Sequence, residues 1–286
     1  MLDIGLAVAF GSMLSFAASD VMAKRVSSKF GSRRANALML ASNLMVMLAA
    51  GALLGISKAT PLSIILSAAS GISYAIAYFL VYKSLETQQV SSTISLVGIE
   101  YVLLTLFGIS VLGEAVSYLA VVGIIGVFIG SFLVTSSRGL KINRHYLPAI
   151  MGMVAFAMTY ILLIFAQQDS GGPALPLIIN RIFAVSITIA YLRYSRPAAQ
   201  HHLPEHPRHR RQLMTMNVLM GVFNGLGSLL YLILAQYGAV AVGSAIVASE
   251  PALMVFLGSL LYRDRFSRHQ FFGISLVIIS TILLSL

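Results

Sequence analysis

Ten apolar stretches run along the chain, at 4–23, 35–54, 62–82, 90–112, 118–134, 147–166, 175–194, 214–235, 240–261 and 271–286. Within each, apolar residues are nearly continuous. They show neither the two-residue alternation of a half-buried strand nor the single stripe of a soluble helix. A hydrocarbon core about 30 Å thick needs about 20 mostly apolar residues per spanning helix. Backbone polar groups must be satisfied within lipid, which leaves helices or a closed barrel. The pattern therefore predicts an all-α integral membrane protein of ten transmembrane helices. Most connectors are short, so consecutive helices are expected to lie antiparallel and adjacent. The long exception, 195–213, holds three prolines and four histidines. It reads as a solvated loop and not as a metal site.

Composition agrees with this. Hydrophobic residues make up 58% of the 286 positions and charged residues 10%, with a mean hydropathy of +0.89. A water-facing surface needs roughly 25% charged residues. Met1-Leu2-Asp3 carries no basic start, so the first stretch reads as a retained span and not a cleaved signal. Cysteine is absent, which removes disulfides and thiolate metal sites.

The charges orient the chain. The formal net charge is +10. Every Lys and Arg except Lys58 and Arg181 falls at the end of an odd-numbered span or in the loop after it, as with Lys24, Arg25, Lys83, Arg138, Arg208 and Arg263. Basic residues resist translocation, so odd loops are expected in the cytoplasm, both termini outside, and the setting is the cell membrane. The positive charge is read as an attraction to anionic lipid, not to nucleic acid.

The chain also repeats. At an offset of 150 residues, Gly71 meets Gly221, Glu100 meets Glu250, Gly108 meets Gly258, Ser117 meets Ser267 and Gly123 meets Gly273. Five spans per copy is an odd number, so the second copy enters the membrane inverted. The expected units are residues 1–140 and 141–286. Two such halves already form a pseudo-symmetric pair, so a monomer suffices.

Glu250-Pro251-Ala252-Leu253, then Tyr262-Arg263-Asp264, then Gly273 resembles the end of a repeat of the EamA family, in the drug/metabolite transporter superfamily. Leu112-Gly113-Glu114 and Gly123 repeat the likeness in the first half. Two departures stand out. Tyr262-Arg263-Asp264 replaces the family's Leu-Gly-Glu, and Glu100-Tyr101 replaces an aromatic-Pro pair. The resemblance implies a ten-helix transporter with a central site lined by spans one, three, four, six, eight and nine. It also implies export of amino acids or similar solutes.

Ionisable groups within spans are costly and are candidates for function. Glu100 and Glu250 occupy matching positions and are candidates for proton coupling, because a carboxylate taken from water beside another favours holding a proton. Arg181 is a candidate for binding an acidic group through its planar fork, or for neutralising Glu100, Glu250 or Asp169. Asp20 and Lys24 are spaced for an ion pair on one helix face. Tyr74, Tyr78 and Tyr82 form a stripe whose counterparts include Asn224 and Ser228. Tyr74, Tyr78, Asn224 and Ser228 join the candidate solute site with Glu100, Arg181 and Glu250. Gly123, Gly126, Gly130 and Gly152 are read as points of close helix contact.

No Gly-x-x-x-x-Gly-Lys-Ser/Thr or His-Glu-x-x-His motif occurs. No catalytic residue, cofactor or metal is assigned. A secondary transporter of a small metabolite or amphipathic solute is the leading reading. A passive channel stays open beside it, and a membrane-embedded enzyme is the weakest of the three.

Overall fold

The computed structural model describes residues 2–30, 32–56, 58–87, 98–135, 147–194, 207–262 and 267–285. Among these every regular element is a helix. They are α1 (Leu2–Phe30), α2 (Ser32–Leu54), α3 (Pro61–Thr87), α4 (Gly98–Ser110), α5 (Tyr118–Thr135) and α6 (Leu147–Ser170). The rest are α7 (Ala174–Tyr194), α8 (Pro207–Gln236), α9 (Val240–Val247), α10 (Glu250–Tyr262) and α11 (Arg268–Ser285). The basic loops 136–146 and 195–206 lie outside the described residues, as does the start of the fourth expected span.

Seven helical segments are long and apolar enough to cross a bilayer, and three shorter apolar helices accompany them. The distribution of polarity is inside-out. Leu53, Ile65, Phe132 and Phe272 stand exposed, while Asn43, Asn180, Arg181, Asn217, Asn224 and Glu250 are buried. In water that arrangement would hide polar groups and display apolar ones at a cost on both counts. In lipid it is the favourable one, and the protein is a multi-pass membrane protein.

One expected span is broken. The stretch read as a continuous helix over 240–261 is divided into α9 and α10 by a turn at Ala248 and Ser249. Pro251 is the cause. It has no N–H to give the carbonyl four residues back, and its ring crowds that carbonyl. The ladder tightens instead, with Ala252 N bonding Ser249 O at 3.0 Å. Ser131 of α5 donates to the Ala248 carbonyl at 2.7 Å, satisfying an acceptor inside the bundle.

Helices pack through small residues. A Cβ on Gly130 would stand 2.9 Å from Gly273 O, and one on Gly273 would stand 2.8 Å from Gly130 O. This pairing seats α5 directly on α11. Gly123 and Gly126 meet Leu284 and Ser280 along the same seam, and Gly152 of α6 faces Ala77 and Val81 of α3. The expected close-contact role of these glycines is thus observed. Elsewhere α3 lies on α6 and α7, α8 on α1 and α2, α4 on α6 and α9, and α1 on α10.

Candidate functional site

The bundle's centre is polar, and Arg181 organises it. This residue of α7 is 0% exposed. Its Nε donates to Asn43 Oδ1 at 3.0 Å, Nη1 to Asn180 Oδ1 at 2.6 Å and Nη2 to Ser228 Oγ at 2.8 Å. The guanidinium carbon sits 3.8 Å from the centroid of the Tyr74 ring, a cation–π contact in a dry setting. All three acceptors are neutral oxygens. The expectation that Arg181 neutralises Asp169 fails, because Asp169 accepts from Thr60 Oγ1 and from Ser63 N instead.

A second ring of bonds holds these acceptors still. Asn43 Nδ2 donates to Asn224 Oδ1 at 2.8 Å, and Tyr74 OH donates to the same oxygen at 2.8 Å. Asn224 Nδ2 donates to Tyr78 OH at 3.3 Å. Asn180 Nδ2 donates to Ser70 Oγ at 2.8 Å. Ser228 Oγ gives its own proton to Asn224 O, so Tyr160 OH donates to Ser228 across 3.0 Å. Each amide has both ends engaged, which fixes its orientation.

Five of the residues expected at the site, Tyr74, Tyr78, Arg181, Asn224 and Ser228, thus share one network. Tyr82 carries the stripe onward, but its side chain lies outside the described residues. Asn43, Ser70, Tyr160 and Asn180 were not anticipated. Spans two and seven therefore supply central polar groups, beyond the six spans that the family likeness implied.

Carboxyl groups gather on the other elements. Glu250 opens α10 immediately after the break and is 2% exposed; Glu100 lies in the first turn of α4 and is 6% exposed. Both stand at helix starts, where unpaired backbone N–H groups and the helix dipole favour negative charge. Tyr101 OH donates to Glu250 Oε2 at 3.4 Å. Asp20 of α1 interacts electrostatically with Glu250 across the bundle. The Lys24 side chain, its expected partner, lies outside the described residues.

Glu114 explains part of the Leu-Gly-Glu motif. Gly113 takes φ = +69°, a conformation that turns the chain sharply after α4 and suits glycine. The Glu114 carboxylate then accepts from Val240 N at 2.7 Å and Ala241 N at 2.6 Å. It caps α9 from the far half of the sequence.

A family model described as the EamA-like transporter family matches residues 3–136 and 200–286. Among solved structures, one described only as a crystal structure of a protein aligns with a TM-score of 0.79. That likeness covers 98% of this chain and 95% of the other at 15% identity, so it speaks for the fold alone. No curated protein matches the chain.

Proposed function

The chain belongs to the EamA-like transporter family, and from that premise we propose that it is a secondary transporter working by alternating access. It carries a small metabolite or amphipathic solute between two inverted halves, residues 1–140 and 141–286. The packing supports this division. Exchanging the first five spans for the last five turns the α3–α6 contact into α8–α1 and the α3–α7 contact into α8–α2. Two halves so arranged can rock about a shared centre.

The observation that carries the proposal is the wholly buried Arg181, held among the described residues only by neutral groups. A guanidinium has five N–H donors, and the three described bonds leave two for a solute oxygen. Burying a cation in lipid without a carboxylate partner is costly. A solute bearing an acidic or carbonyl group would repay that cost on arrival. Tyr74, Tyr78, Asn224 and Ser228 would orient it, and Glu100 and Glu250 would supply coupling charge. Export is the favoured direction on the family likeness, with the basic loops in the cytoplasm and both termini outside.

Counterflow in proteoliposomes tests the reading. Liposomes loaded with an unlabelled amino acid, nucleoside, sugar or organic cation should concentrate the labelled form when it is the cargo. Labelled solute that only equilibrates, with no trans-stimulation, would mark a passive channel.

A further inference from the structure

Two helix starts are completed by carboxylates from the other half of the chain. The helix α9 begins at Val240 behind Ala239, which makes no side-chain capping bond. An alanine has no oxygen to offer the first N–H groups of a helix, which find no acceptor within it. Glu114 serves two of them. Its Oε1 accepts from Val240 N at 2.7 Å and its Oε2 from Ala241 N at 2.6 Å. The reverse exchange occurs at the start of α3. Asp169, near the end of α6, accepts through Oδ2 from Ser63 N at 3.0 Å and from Thr60 Oγ1. Residues 1–140 thus cap a helix of 141–286, and residues 141–286 cap a helix of 1–140.

Both contacts lie at one face of the bundle. Thr60 follows α2, Glu114 follows α4, Asp169 closes α6 and Val240 follows α8. On the ten-span reading these are the connections opposite the basic loops. Gly55, Gly113, Gly171 and Gly238 turn the chain in those same four connections, with φ between +64° and +83°. An inverted repeat carries a contact at one face to a counterpart at the other. Two contacts at the same face are therefore not images of each other. They mark that face as the one drawn shut in this conformation.

The chemistry suits a contact that opens. Asp169 is exposed and Glu114 half-buried, so water can replace the helix start as each carboxylate's partner. Charge-assisted bonds hold firmly while made, and the helix dipole adds to them. The α5–α11 seam also joins the halves, but there the Gly130 and Gly273 backbones approach directly and no side chain can swing away.

We propose that Glu114 and Asp169 are coupled latches. Together they hold the face opposite the basic loops closed, and the path to that side opens when both carboxylates leave their helix starts in one movement. The inference rests on the transporter reading and names the contacts that must break for it.

Hydrogen exchange on the full chain in lipid nanodiscs tests this. It is followed at the amides of Ser63, Val240 and Ala241, with buried Val127 midway along α5 as the reference. No solute is needed, so the result is independent of counterflow. Asp169→Asn weakens the latch at α3, which shares no described bond with the latch at α9. Coupling nonetheless requires faster exchange at Val240 and Ala241, by about tenfold. Glu114→Gln should speed Ser63 by a similar factor, because coupling is reciprocal. Val127 should not change. In the unmutated protein, where opening limits exchange, the three latch amides should share one rate. If a variant fails to fold, that wild-type series decides. Acceleration confined to the mutated latch, or separate wild-type rates, would overturn the proposal by showing two independent caps. Acceleration that includes Val127 would overturn it by showing general loosening. Coupled latches in a protein that exchanges no solute would leave this inference standing and bring down the transporter reading. Independent caps alongside trans-stimulated exchange would do the reverse.

Discussion

The two polar regions of the interior are built on opposite plans. Around Arg181, Asn43, Asn180, Asn224, Ser228 and Tyr74 interlock so that each amide uses both its donor and its acceptor. Around Glu250 the bonding is sparse: a long bond from Tyr101, and one oxygen without a partner. A saturated network holds geometry and resists change. An unsaturated acidic group beside a broken helix is suited to change its occupant. On the proposed transport reading the first region positions the solute and the second supplies coupling charge.

Arg181→Lys breaks the contrast most severely. A lysine has no planar fork and cannot reach Asn43, Asn180 and Ser228 together. Counterflow should fall by roughly a hundredfold, since charge-assisted bonds contribute about 1.5–3 kcal/mol each. Transport near the wild-type level would show that the network is not central. Glu250→Gln sharpens the other side. The amide preserves shape but cannot release a proton, so the pH dependence of transport should flatten, with a loss of about tenfold at the wild-type optimum. A full pH response in both Glu250→Gln and Glu100→Gln would remove proton coupling from these residues.

Smaller effects should separate scaffold from site. Gly130→Val places methyl groups against the Gly273 backbone and should cost about 1–3 kcal/mol of stability, read as an earlier thermal transition. The solute affinity of the folded fraction should not move. Glu114→Gln removes the charge that caps α9 and should cost about 1 kcal/mol. Because that cap joins distant parts of the chain, its loss should also raise the rate of exchange between conformations, measurable as faster hydrogen exchange at Val240 and Ala241.

Much of this was legible before any coordinates. Continuous apolar runs locate the helices because lipid demands them, and Arg181 is conspicuous because a charge inside such a run is expensive. The offset of 150 residues brought Tyr74 and Asn224 into register, and they prove to be hydrogen-bonded. Asn43 and Asn180 were harder to see. A lone amide in an apolar helix has no periodicity, and only the three-dimensional packing of α2 against α7 reveals its partner. The side chain of Lys24, the partner that spacing offers Asp20, lies outside the described residues, while the interaction of Asp20 with Glu250, remote in sequence, is invisible to spacing arguments. Pro251 marks the break in the ninth span, which the apolar run over 240–261 presents as continuous.

The most direct test of the central claim uses the absence of cysteine from the chain. Ser228→Cys, the only thiol then present, should react with membrane-impermeant reagents applied from either side in turn. Transported solute should protect it. Active transport with a thiol that neither side can reach would contradict the assignment of this polar centre as the path of the solute.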